Sequence, residues 1–217
     1  MRGCFGKIDY LNLLPFDFYI KKSNHTYIKR AVKKSHPAHI TDLFLKKKVN
    51  AAFISSIKSK GQKCLNAGII ADGEVMSVFV CNDKDEYDNE SKSSNALKKI
   101  LNLKGRVIIG DKALQMYHKG SANCIDLAKE WKNQTGLPFV FATFCVNSDL
   151  KYYDKIIKQF LKYKVKLPYY IKKREALRLN IPMSLIELYL NKITYRIGKD
   201  EKKAIKLFLN KSKLKGS

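Results

Sequence analysis

Acidic residues are scarce in this chain: 19 Asp and Glu stand against 43 Lys and Arg over 217 residues, a formal net charge of +24 at pH 7. Glycine (11) and proline (5) are too few for a collagen-like or linker-like polymer. No apolar run approaches the roughly 18 residues that a membrane-crossing helix needs, because Lys interrupts even the most apolar segments. The first residues run into a strand-like pattern without an apolar signal core, so a cytoplasmic protein with no membrane insertion is expected. The five cysteines, Cys4, Cys64, Cys81, Cys124 and Cys145, are odd in number, mutually distant and without Cys-x-x-Cys spacing. Neither a disulfide framework nor a zinc site is expected from them, and buried free thiols are the simplest reading.

Familiar catalytic strings are also missing. His25, His36, His39 and His118 lack HExxH spacing, and His36-x-x-His39 beside Pro37 reads as a solvated helix start rather than a metal site. There is no G-x-S-x-G elbow, no phosphate-binding G-x-x-x-x-G-K-[ST] loop and no G-x-G-x-x-G fingerprint. No metal site and no cofactor are expected.

What the chain does have is core-forming material. Hydrophobic residues make up 45% and aromatics 11%, enough to fold despite the charge. The length suits one large domain or two lobes. The basic residues are mostly Lys and spread throughout. The densest stretch, Lys151 to Arg178, carries ten basic residues against Asp154 and Glu175. It also holds Ile156, Ile157, Phe160 and Leu161 at helical spacing, so its lysines read as the wet side of an amphipathic helix. With no nucleic-acid-binding motif in view, no specific nucleic-acid partner is expected; the overall field would still attract a small anion. Nothing in the sequence sets an oligomeric state.

The apolar rhythm predicts strands over Gly3 to Ile8, His25 to Val32, Val49 to Ile54, Gly68 to Ala71, Val75 to Cys81, Arg106 to Gly110 and Phe139 to Val146. Helices are predicted over Asn12 to Ile20, Ile40 to Leu45, Ala96 to Leu103, Ala122 to Thr135, Leu150 to Tyr163, Tyr170 to Asn180, Ser184 to Lys192 and Glu201 to Leu209. The alternation indicates an α/β protein with largely parallel sheets. The polar stretch Asn82 to Glu90 reads as a crossing between lobes.

In such folds ligands bind beyond strand ends, where helix N-termini present free N–H groups. Three places fit: Tyr10 to Pro15, Ser55-Ser56, and Ser91 to Ser94. A serine at such a turn commonly caps a helix. Their recurrence makes a cradle of neutral donors suited to carboxylates or phosphates.

Specific strings carry the reading further. Gly6-Lys7-Ile8-Asp9-Tyr10-Leu11-Asn12-Leu13-Leu14-Pro15-Phe16 resembles the opening of the chorismate dehydratase family of menaquinone biosynthesis. The resemblance continues through Ala51 to Ile57, Ser91-x-Ser93-Ser94, Ile108 to Leu114, Asp126 to Trp131 and Thr135 to Ala142, and so covers most of the chain in order. It implies a two-lobed, periplasmic-binding-protein-like (type 2) fold with mixed, largely parallel sheets and an interlobe cleft. Residues 1–81 and 180–217 would form the first lobe and 82–179 the second, with the C-terminal helix on the first. It implies dehydration of chorismate to 3-[(1-carboxyvinyl)oxy]benzoate, the first step of the futalosine route, without metal or cofactor. By carry-over, Asn12 would be the catalytic residue, and Tyr10, Ser55, Ser56, Ser91, Ser93, Ser94, Gly110 and Asp111 would bind substrate. The substrate's own enolpyruvyl carboxylate is the expected proton acceptor, because an amide cannot act as a base. The alternatives are a 1,4-dihydroxy-6-naphthoate synthase-like enzyme of the same pathway, which the Tyr10-x-Asn12-x-x-Pro15 opening does not favour, and a non-catalytic small-anion-binding protein.

Overall fold

A computed structural model describes residues 4–23, 32–120, 123–163 and 165–215. In chain order its elements are β1 (Phe5–Ile8), a 3-10 turn (Leu11–Leu13), α1 (Leu14–Lys22), β2 (Val32–Ser35), α2 (Pro37–Leu45), β3 (Ala51–Ser55) and a second 3-10 turn (Ser56–Lys58). There follow β4 (Cys64–Ala71), β5 (Val78–Cys81), α3 (Lys92–Ile100), β6 (Arg106–Ile109), α4 (Gly110–His118), β7 (Cys124–Asp126), α5 (Leu127–Thr135) and β8 (Phe139–Val146). The chain ends with α6 (Leu150–Lys162), α7 (Tyr169–Leu179), α8 (Met183–Lys192), β9 (Ile193–Arg196) and α9 (Lys199–Leu214).

Local chemistry sets many of these boundaries. Pro15 and Pro37 occupy first-turn positions of α1 and α2, where a missing N–H breaks no bond within the helix. Ser91 caps α3 through its hydroxyl, which accepts from the Ser94 N–H. In α6 the predicted stripe faces inward, with Ile156, Ile157 and Phe160 buried, while Lys151, Lys155, Lys158 and Lys162 are exposed. The helix predicted from Ala122 begins only at Leu127, because the Asp126 carboxylate caps it by accepting from the Ala128 and Lys129 N–H groups. The residues just before form β7, and Ala122 lies outside the described residues. The strand predicted over His25 to Val32 falls on residues 25–31, also outside them, except for Val32, which opens β2.

Two sheets organise the fold: a six-stranded one of order β2-β1-β3-β8-β4-β9 and a three-stranded one of order β6-β5-β7. They are mixed as expected, but the expectation of largely parallel pairing needs correcting. Among the described residues only β1–β2 and β1–β3 run parallel, and the other pairs are antiparallel. β8, almost wholly apolar and buried, inserts between β3 and β4 by returning from the small sheet, which reverses its direction. The expected segment for the second lobe is corrected likewise. The small sheet draws on residues 78–126, with β5 part of it, and the chain is back in the large sheet at Phe139 rather than near Asn180.

A continuous core runs beneath both sheets. Phe16 stands edge-on to Phe53 and Phe160, with Phe5 and Phe144 beside them. Trp131, Phe139 and Phe208 form a second aromatic cluster that fastens α9 to β8 and α5; α9 also contacts α3 and the Ser56–Lys58 turn. The expectation of free thiols is overturned by strand pairing. Cys64 lies opposite Cys145 in the β4–β8 register and is disulfide-bonded to it, and Cys81 is bonded in the same way to Cys124 across β5–β7. Cys4 is free.

Candidate active site

Between the sheets lies a cavity of about 40 Å³ walled by Ile8, Tyr10, Asn12, Pro37, Ser55, Ile69, Val75, Ser77, Val78, Ser91, Ser94, Ile109, Gly110, Phe141, Ala142 and Ile193. Six of the nine sequence-predicted residues are in that wall: Tyr10, Asn12, Ser55, Ser91, Ser94 and Gly110. They come from the ends of β1 and β3 and from the first turns of α3 and α4, and Pro37 adds the first turn of α2. Three helix N-termini therefore meet at one small space, which favours negative charge there. Among the described residues no charged side chain lines it.

The other three predicted residues are brought near but set to different work. Ser56 and Ser93 hydroxyls lie 3.1 Å apart, both buried, and Ser93 also accepts from the Ile57 N–H, so the pair joins α3 to the turn after β3. Asp111 accepts from the Leu11 N–H at 3.1 Å and from Arg178 at 2.7 Å, which ties α4 to the β1 end and to α7. Neither arrangement presents these groups to the cavity.

Within the wall most polar groups are already held. The Ser55 N–H donates to Thr41 Oγ1, with Ser55 Oγ 3.2 Å from the same oxygen. Ser91 and Ser94 hydroxyls are 2.8 Å apart. The Tyr10 hydroxyl donates to Glu90, whose backbone carbonyl accepts from the Ala38 N–H. Burial, reinforced by the hydrogen bond to the Glu90 carboxylate, raises the Tyr10 phenol far above its ordinary 10. Tyr10 is therefore a fixed donor and not a base. The exception is Asn12: its Oδ1 is buried and has no hydrogen-bond partner among the described residues. A buried acceptor left open toward a cavity costs free energy until a ligand donor reaches it.

Ser77 is a wall residue that the sequence reading missed. It is 2% exposed, and its carbonyl accepts from the Gly110 N–H at 2.8 Å. A lone serine in the apolar run Val75 to Cys81 was the available signal. Beside the cavity a groove of about 230 Å³ shares Tyr10 with it and gathers Lys7, Lys21, Lys34, Arg174 and Arg178. Lys7 is paired there with Asp17, and both arginines with Glu175. Among the described residues no group of three or more His, Cys, Asp or Glu is placed to hold a metal ion. His36 instead caps α2, accepting from the His39 N–H.

Residues 99–213 match a family described as menaquinone biosynthesis. The chain is 41% identical to a chorismate dehydratase of Campylobacter jejuni subsp. jejuni serotype O:23/36 (strain 81-176), over 96% of this chain and 97% of that one. Among solved structures, a protein from Archaeoglobus fulgidus superposes with a TM-score of 0.71 at 13% identity, covering 98% of this chain and 97% of that one. The alkanesulfonate-binding protein of Xanthomonas axonopodis pv. citri gives 0.57 at 9% identity (98% and 91% covered). A Candida albicans protein with the generic periplasmic binding protein fold gives 0.56 at 9% identity (100% and 90% covered). The fold is thus periplasmic-binding-protein-like.

Proposed function

The chain belongs to the menaquinone biosynthesis family, and from that premise we propose that it is a chorismate dehydratase, a carbon–oxygen lyase acting in the futalosine route. The observation that carries the proposal is the open Asn12 Oδ1 in a small cavity otherwise lined by neutral hydrogen-bond donors and apolar groups.

The reaction removes the proton from the ring carbon bearing the enolpyruvyl ether and the hydroxyl from its neighbour, and the ring becomes aromatic. In the proposed complex Asn12 Oδ1 accepts from the departing hydroxyl and the Asn12 NH2 donates to the enolpyruvyl carboxylate. That carboxylate takes the ring proton and passes it to the hydroxyl, which leaves as water, so the protein gains and loses no proton. The leaving proton is vinylogous to the ring carboxylate. Negative charge therefore spreads into that carboxylate, where serine hydroxyls and the N-termini of α3 and α4 stabilise it. What the protein supplies is mainly orientation.

A space of about 40 Å³ holds only about three waters. Substrate entry therefore requires the sheets to separate, parting contacts such as Tyr10–Glu90, Leu11–Asp111 and Ser56–Ser93. A cytoplasmic location is part of the proposal. Its check is cell fractionation, which should recover the protein with cytoplasmic marker enzymes; recovery in the periplasmic or membrane fraction would overturn it.

The test of function is incubation of the purified protein with chorismate. Mass spectrometry should find a product lighter by one water with a benzoate-like ultraviolet spectrum, and Asn12→Ala should lower turnover by about 10² to 10³. Chorismate bound but intact would leave a binding protein; neither binding nor turnover would end the proposal.

A further inference from the structure

The 3-10 turn that carries Asn12 is built from bonds three residues apart: the Leu13 N–H donates to the Tyr10 carbonyl and the Leu14 N–H to the Leu11 carbonyl. The next bond in that series would run from residue 15 to the Asn12 carbonyl. Residue 15 is proline and has no N–H, so the series stops at the residue whose side chain enters the cavity.

The missing donor comes from the far end of the chain. The Tyr195 hydroxyl, on β9, donates to the Asn12 carbonyl at 2.5 Å across 183 residues of sequence. The Tyr195 ring stands edge-on to Phe160 at 5.1 Å, which fixes its direction. Burial raises its phenol well above the ordinary 10, so it remains a donor throughout the working pH range.

We infer that Tyr195 is a positioning residue: by supplying the hydrogen bond that Pro15 withholds, it sets the angle at which the Asn12 amide enters the cavity. The inference rests on the chorismate dehydratase reading for its kinetic consequence, though its geometric content can be measured without turnover. Tyr195 touches no reacting atom. Its action passes through one carbonyl, and a small rotation of that peptide swings the Asn12 amide off its target, where displacement by about 1 Å is worth about 10² in rate.

The experiment compares the full-length protein with Tyr195→Phe and with the double variant Tyr195→Phe/Pro15→Ala, by chorismate kinetics, thermal melting and the NMR signal of the Asn12 side-chain amide. Tyr195→Phe keeps the ring and its Phe160 contact, so the melt should shift little. Its kcat should fall about 10- to 100-fold while KM stays within about twofold, and the Asn12 amide signal should shift or broaden. Pro15→Ala then restores an N–H three residues beyond Asn12 and should recover part of the lost kcat. A merely structural role would not produce that rescue. Unchanged kcat with an unchanged Asn12 signal overturns the inference, as does a loss that tracks the melting temperature and is not rescued. If the unaltered protein fails to convert chorismate, the functional reading falls and the Asn12 signal alone decides the positioning: a shift in Tyr195→Phe upholds it, and no shift overturns it.

Discussion

Gly110 opens α4 with φ +65° and faces Tyr10 across the cavity. A methyl group added there would sit 2.8 Å from Cε2 and Cζ of the Tyr10 ring and 3.0 Å from Cε1. Carbon atoms are comfortable at about 3.5 Å or more, so Gly110→Ala requires the two walls to part by about 0.7 Å. The ring has little freedom to yield, because its hydroxyl is bound to Glu90 and the adjoining Leu11 N–H is bound to Asp111 on α4 itself. Two energies therefore add: about 1–2 kcal/mol for an L-residue in the left-handed region and about 1–3 kcal/mol for overpacking. Gly136 separates them. It caps α5 at φ +70° with nothing within 4 Å of the added Cβ, so Gly136→Ala carries the backbone strain alone. In a chain of this size each kcal/mol moves the melting temperature by about 2–4 °C. Gly136→Ala should melt about 2–8 °C lower and keep full turnover. Gly110→Ala should melt lower still and lose about 10² in chorismate turnover, because the cavity walls no longer meet at the right separation. Melts followed by fluorescence of the single Trp131, with initial rates on the same samples, measure both. Equal melts for the two variants with turnover intact would refute the claimed contact between Gly110 and Tyr10.

Two further outcomes are expected. Asp126 accepts from the N–H groups of Val75, Met76, Ala128 and Lys129 at 2.8–3.0 Å while 7% exposed. Asp126→Ala removes a helix cap worth about 1 kcal/mol and leaves two buried N–H groups without partners at about 1–3 kcal/mol each. Urea titration should therefore show a loss of about 3–7 kcal/mol, and a loss below about 1 kcal/mol would contradict the reasoning. Burial by itself would raise the Glu175 carboxyl, but Arg178 and Arg174 more than offset it and hold the group below its ordinary 4.5. A depressed carboxyl adds stability that is fully present above the unfolded value and lost as pH falls through the folded one. Denaturation midpoints should drop as pH is lowered below 4.5, and Glu175→Gln should flatten that slope; an unchanged slope would remove the pair from the acid response.

Features set by near neighbours were legible in the sequence. Pro15, Pro37 and Ser91 announced helix starts because a missing N–H or a capping hydroxyl acts within one turn. The α6 stripe was visible because burial repeats at the helical period. The candidate site was legible to the same extent. Tyr10, Asn12, Ser55, Ser91, Ser94 and Gly110 stand at element ends, where strand-to-helix turns are marked by local residues. Ser56, Ser93 and Asp111 lie in the same turns, yet which way each side chain faces depends on what packs across from it.

By itself, then, the sequence determined where helices begin, which faces are apolar and which family motifs the chain carries, all of them matters of separations of a few residues. Tertiary structure decided the rest. It turned β8 antiparallel between β3 and β4, set Cys64 beside Cys145 and Cys81 beside Cys124, made a strand of Ile193–Arg196 and delivered Ser77 and Tyr195 to the site. Each of these depends on partners tens to hundreds of positions apart. Such pairing is selected by shared burial and by the need of every backbone donor and acceptor for a partner, which no short window of sequence contains.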